Sequence, residues 1–263
     1  MRVLVTGIDG FVGSHAAEFL LATAGVDIHG TILESAPLQN ISHIQSQLHL
    51  HALNMLDSER FAAVIHDVRP DRIIHLAGQA FVPTAFADPA STFQANIIGG
   101  VNVLEAARTL KVQGKANPSV LVVSTGEVYG RVDPPSRLPI TEDFPLMPNN
   151  PYAASKASVD LIAQQYAMSF GMNVIVVRPF NHVGPRQSPV FVCSDFAKQV
   201  AEIATGKHEP KIRVGNIQAR RDFTDVRDVV RAYWMLLDAG LESGVFNVCA
   251  GNPVAVEDIL NSL

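Results

Sequence analysis

The chain is short of several things that mark other classes of protein. Its two cysteines, Cys193 and Cys249, fall in no C-x-x-C and in no Cys/His pair at zinc spacing, which excludes a disulfide framework and reads both as buried thiols in a reducing compartment. The nine histidines form no H-E-x-x-H, so no metal is expected. Charged residues make up only 17% and the net charge is -5, which excludes disorder and a polybasic nucleic-acid surface and favours a small-molecule partner. No apolar run reaches the ~18 residues of a membrane span, and the first residues read as a strand rather than a charged leader. A cytoplasmic protein, not a membrane protein, is the expectation.

Apolar residues are abundant at 48%, enough for a large core in one α/β unit or in one domain with an appended lobe. The patterns alternate. Strands are expected over 2–6, 27–32, 48–53, 72–76, 120–123 and 173–177, with helices over 11–21, 58–68 and 93–110 and one starting near Tyr152. That order is the signature of a doubly wound parallel sheet. The first strand runs straight into Gly7-Ile8-Asp9-Gly10-Phe11-Val12-Gly13 and then a helix, so its amides are placed to bind a pyrophosphate. Gly7, Gly10, Phe11, Val12 and Gly13 are therefore candidate dinucleotide contacts, with a plain glycine-rich turn as the weaker reading.

After the second strand an acid would select NAD, by binding the ribose hydroxyls, and an Arg would select NADP, by binding its 2′-phosphate. The chain offers Ile32, Leu33 and then Glu34, which fits a ribose acceptor and a solvated loop acid equally well. Leu76-Ala77-Gly78 brings small residues to the end of the fourth strand, where a backbone can lie close to a cofactor. The proline-rich loop 132–151 reads as a substrate-side loop. Beyond residue 180 the composition changes, with a helix at 195–204, a strand at 211–214, a charged turn at 218–222, a helix at 226–237, a strand at 245–248 and a helix beginning at Val256. There is no internal repeat.

Tyr152 and Lys156 lie four apart on one helix face. A free phenol, with a pKa near ~10, needs a nearby cation to exchange protons at neutral pH, and Lys156 is such a cation. Alone the pair would more often be a solvated helix contact. Ser124-Thr125-Gly126-Glu127, upstream after an apolar run, adds a hydroxyl that can hold a substrate oxygen beside Tyr152.

With Gly7/Gly10/Gly13, Leu76-Ala77-Gly78, Ser124-Thr125, Tyr152/Lys156 and Arg178-Pro179-Phe180-Asn181 assembled, the chain resembles the extended short-chain dehydrogenase/reductases, which modify nucleotide sugars on a Rossmann fold. The resemblance implies a dinucleotide domain over 1–180 and a smaller substrate lobe over 181–263 that is incomplete at its C-terminus. It implies NAD or NADP as cofactor, Thr125, Tyr152 and Lys156 as the catalytic set, and Asn54 and Met55 at the adenine, although the family usually has Asp where Asn54 stands. The segments Phe180-Asn181-His182-Val183-Gly184-Pro185 and Arg221-Asp222-Phe223-Thr224-Asp225 are similar to the GDP-mannose branch, nearest its GDP-4-keto-6-deoxymannose reductases and next its GDP-mannose 4,6-dehydratases. Asn181, Lys198 and Arg221 are then candidates for the diphosphate, and a homodimer through the helices at 93–110 and 152–170 is implied. Three readings stay open: a reductase of a sugar 4-keto group, a lyase with Glu127 as base, and a dinucleotide sensor without turnover. The intact catalytic set argues against the last.

Overall fold

Strand β1 (Arg2–Thr6) sets the architecture, because successive side chains along it are buried on opposite faces. Leu4 joins a core with Phe61, Leu104 and Val159 under α2 (Ser58–Val68), α5 (Gly99–Val112) and α6 (Pro151–Phe170). Val3 and Val5 join a second core with Leu20, Ile28 and Tyr233 under α1 (Phe11–Leu21) and α8 (Val226–Asp238). A strand buried on both faces needs helices on both, and parallel crossovers supply them.

The computed structural model describes residues 1–132 and 138–263. The substrate-side loop expected over 132–151 therefore lies partly outside the described residues. The other strands of the main sheet are β2 (Asp27–Ile32), β3 (His49–Ala52), β4 (Arg72–His75), β5 (Ser119–Val123), β6 (Val174–Pro179) and β9 (Ser243–Val248). All seven run parallel in the order β3-β2-β1-β4-β5-β6-β9. Strand order reverses between β1 and β4, so the segments after Thr6 and His75 flank the crevice where ligands of such sheets bind. A second, three-stranded sheet forms from β7 (Asn181–Val183), β8 (Arg220–Asp225) and β10 (Pro253–Ala255), accompanied by α7 (Val192–Ala204) and α9 (Val256–Asn261).

The C-terminal part departs from the sequence expectations. Residues 211–214 form no strand; the Arg213 backbone is satisfied by the Gln199 amide, which accepts from its N–H at 2.8 Å and donates to its carbonyl at 3.1 Å. The charged stretch at 218–222 is not a turn throughout, since Arg220 to Asp222 pair with β10. Beyond residue 180, α8 packs on α1 and β9 pairs with β6, which brings that segment back to the large sheet. The helix expected over 93–110 is also interrupted. The short helices α3 (Val82–Ala87) and α4 (Pro89–Phe93) lead into a π-helical turn, Gln94–Ile98, before α5 begins. Cys249 is exposed rather than buried, at the end of the edge strand β9, and Cys193 is half-buried.

Candidate active site

The glycine turn after β1 is a cradle that side chains would fill. Gly7 has φ +67°, a left-handed conformation, and a Cβ there would lie 3.1 Å from the Ala77 Cα; a Cβ on Gly13 would lie 2.2 Å from the Gly7 carbonyl oxygen. Helix α1 starts at Phe11 behind an N-cap, Gly10, that offers no side chain, so its first-turn amides have no intrahelical acceptor and are open to an anion. On the other side of the crevice, the Thr6 hydroxyl accepts from the amides of Leu76 and Ala77, each at 3.1 Å, and meets His75 Nδ1 at 2.9 Å. Having accepted twice, the hydroxyl donates to His75 Nδ1, which assigns that nitrogen as the unprotonated one. Burial, and then the Lys156 charge, hold the imidazole down at about 3, so it is neutral.

Past Ala77, the Gly78-Gln79 backbone is tied to α6 by Asn96, buried in the π-helical turn. Its amide accepts from Gln79 N at 2.8 Å and donates to Gln79 O at 2.9 Å and to Ser155 Oγ at 2.8 Å. Asn96 falls near the start of the helix expected over 93–110, and its role depends on the irregular turn that replaces that start. At the β2 end, Glu34 sits in a turn closed by Ala36 N donating to Leu33 O, and its carboxylate accepts from Arg60 of α2 at 2.7 Å. The sequence shows no cation after β2, because this one comes from 26 residues downstream. Asn54 accepts from Leu56 N at 2.9 Å within its own turn, while the Met55 carbonyl accepts from Asn102 at 2.8 Å. Cradle, crevice and ribose-side polar pair together fit a dinucleotide.

The catalytic candidates meet at the N-terminus of α6. Asn150 caps the helix by accepting from Ala153 N at 2.8 Å, and Pro151 occupies its first turn without wasting a donor. The same Asn150 side chain donates to Glu127 at 2.9 Å, fixing that carboxylate beside Tyr152. The Thr125 hydroxyl lies close enough to the Tyr152 phenol to favour its ionised form, and it accepts from Glu127 N at 3.3 Å as cap of the short 3-10 turn Gly126–Tyr129. Burial, then the Glu127 charge, push the phenol pKa well up, against the smaller opposing effect of the Thr125 hydroxyl. Lys156 donates to the Val123 carbonyl at 2.9 Å, and burial brings its ammonium down to about 8.

Gly126 has its own constraint, since a Cβ there would sit 3.0 Å from the Phe180 ring. The Phe180 ring lies beside that of Tyr129, centroids 6.5 Å apart, and Tyr129 is held by Arg178, whose guanidinium is buried against Asp160 at 2.8 Å and 3.1 Å and donates to Tyr129 Oη and to the Glu142 carbonyl, each at 2.9 Å. Asp160 and Tyr129 are thus supporting residues that spacing alone did not reveal. Of the substrate candidates, Asn181 and Arg221 stand on the adjacent strands β7 and β8, and Lys198 stands on α7. Asn181 is exposed on β7 in register with Phe223, and Arg221 stands on β8 with its guanidinium turned to the Arg220 carbonyl at 2.8 Å. Lys198 is 55% exposed and lies 3.9 Å from Glu202 one turn on, the geometry of a solvated helix pair.

Known proteins resemble this chain in sequence and fold. The sequence profile of the family described as GDP-mannose 4,6 dehydratase matches residues 4–262. The chain is 37% identical to the GDP-6-deoxy-D-mannose reductase of Pseudomonas aeruginosa, an alignment covering 100% of this chain and 79% of that one. It is 33% identical to a GDP-mannose 4,6-dehydratase of Vibrio cholerae over 90% of this chain and 64% of the relative. Among solved structures, RMD from Pseudomonas aeruginosa complexed with NADPH superposes with a TM-score of 0.82 at 36% identity, covering 99% of this chain and 79% of that one. A Thermus thermophilus UDP-glucose 4-epimerase in complex with NAD gives 0.85 at 31% identity, covering 100% and 82%. With a glycine cradle at the switch point of the sheet and a Thr-Tyr-Lys set across the crevice from it, the chain belongs to the GDP-mannose 4,6-dehydratase family of extended short-chain dehydrogenase/reductases.

Proposed function

We propose that the chain is an oxidoreductase that reduces the 4-keto group of a GDP-linked 6-deoxyhexose, GDP-4-keto-6-deoxymannose in the first instance, using NADH or NADPH. The observation that carries this reading is Gly126. A dehydratase must remove a proton from C5 and give one to the departing C6 hydroxyl, for which many use adjacent acids after the Thr. Here the first acid is a glycine, and a side chain in its place would start with its Cβ 3.0 Å from the Phe180 ring, so an acid there would require the ring to shift. The similarity to the GDP-6-deoxy-D-mannose reductase of Pseudomonas aeruginosa, at 37% identity, supports the same choice.

The residues then divide the work. The first-turn amides of α1 and the Gly7 turn hold the pyrophosphate, and Lys156, beside Gly78, holds the nicotinamide ribose. When bound, the dihydronicotinamide supplies a hydride to the sugar C4. Thr125 donates to the C4 oxygen as charge develops on it, and Tyr152 delivers the proton that makes the hydroxyl. A phenol held in its protonated form suits the donor role. A lyase reading keeps some support from Glu127, which Asn150 fixes beside Tyr152 as a base.

Incubation with GDP-4-keto-6-deoxymannose and reduced cofactor should consume one cofactor per sugar reduced, and GDP-mannose should yield no keto sugar. Keto product from GDP-mannose with substoichiometric cofactor would move the assignment to the lyase. The reading extends to a cytoplasmic homodimer. No described helix is long and apolar enough to cross a membrane, and Ile98, Leu161 and Met168 are exposed apolar residues on the helical layer of α5 and α6.

A further inference from the structure

The ribose side of the cradle carries both charges that select between the two dinucleotides, paired with each other. Glu34 is in the turn that follows β2, where an acid favours the free ribose hydroxyls of NADH and repels the 2′-phosphate of NADPH. Its partner Arg60 lies in the first turn of α2, a helix whose start is fixed by Asp57, which accepts from Arg60 N at 3.0 Å. The ends of β2 and β3 are clamped together there, Leu53 N donating to Ile32 O at 2.9 Å. The Arg60 backbone is therefore held, while its guanidinium, 52% exposed, is free to swing between Glu34 and a neighbouring anion. Glu34 is 67% exposed and can turn to solvent when Arg60 leaves it.

Resting on the dinucleotide reading of the cradle, we infer that Glu34 and Arg60 form a charge-compensated selector through which the chain accepts both NADH and NADPH. With NADH, Glu34 accepts from the ribose hydroxyls and Arg60 stays paired with it. With NADPH, Arg60 moves to the 2′-phosphate, for which a guanidinium has matching donors, and Glu34 gives way. The pair is neutral as a whole, so neither cofactor meets an uncompensated charge. Discrimination is small for that reason.

Fluorescence titration of NADH and NADPH against the wild-type chain, Arg60→Ala and Glu34→Gln tests this. Both positions are exposed, so the variants fold. The wild type should bind the two cofactors within about tenfold of each other. Arg60→Ala should raise the ratio of NADPH to NADH dissociation constants at least about tenfold, and Glu34→Gln should lower it. The wild-type ratio should also be the more salt-dependent, because the phosphate contact is a surface charge pair. A ratio that Arg60→Ala leaves unchanged overturns the selector while leaving the dinucleotide reading intact. Failure of the wild type to bind either cofactor overturns that reading itself, and the selector with it.

Discussion

Tyr152 and Lys156 are displaced from their ordinary ionisation in opposite directions, the phenol upward and the ammonium down to about 8, both chiefly through burial. In the reducing direction that combination has a defined pH dependence. The phenol stays protonated and able to donate through neutral and mildly alkaline pH, whereas the positive charge on Lys156 is lost as pH rises through about 8. The kcat/KM for the keto sugar, which reports free-enzyme ionisations, is expected to be flat below that value and to fall above it. Lys156→Arg should remove the falling limb; a limb that stays near 8 in that variant would assign it to another group. Tyr152→Phe removes only the proton donor, so turnover should drop by more than ~10²-fold with dinucleotide affinity nearly unchanged, a split that paired rate and binding measurements resolve. Lys156→Ala should damage both.

Helix α6 carries more than the catalytic pair, since one turn past Lys156 it presents Asp160 to Arg178 of β6, both essentially buried. This bond fixes the helix to the sheet and, through Arg178, holds Tyr129 and the Glu142 carbonyl in place. Asp160→Ala would leave a guanidinium buried without its carboxylate, and denaturant unfolding should show a loss of ~3–5 kcal/mol. A loss below ~1 kcal/mol would mean that water reaches Arg178. Elements with a local signal were legible before the fold was known. The strand-glycine-helix start and the Tyr152/Lys156 spacing each depend on residues within one turn of each other. Elements defined by distant partners were not. Strand β8 is a charged run that becomes a strand by pairing with β7 and β10, the Arg213 backbone is satisfied by Gln199, and Arg60 reaches Glu34 from another helix.

Across the whole molecule, the sheet buries its crevice residues so thoroughly that acid acts on the fold before it acts on the chemistry. His75 titrates near 6.5 when unfolded and near 3 when folded, held neutral under Thr6 at the switch point. As pH falls through 6.5 the unfolded chain takes up this proton and the folded chain does not, so stability is complete above 6.5 and declines toward 3. His29, His51 and His182 are lowered by burial too and add to the slope in the same direction. Glu18 acts later. Its hydrogen bonds to Arg186, which tie α1 to the loop after β7, lower its pKa from 4.5 to about 2, so its contribution is present above 4.5 and is lost as pH falls through 2. Urea unfolding followed from pH 8 to pH 5 should therefore give a plateau above about 7 and a decline below 6.5. His75→Asn should be less stable at pH 8 but lose less on acidification, because one of the protons taken up on unfolding is gone, while the other shifted histidines leave part of the slope in place. If the variant and the wild type lost stability in parallel over that range, His75 would not be the buried neutral imidazole that the Thr6 hydrogen bond requires.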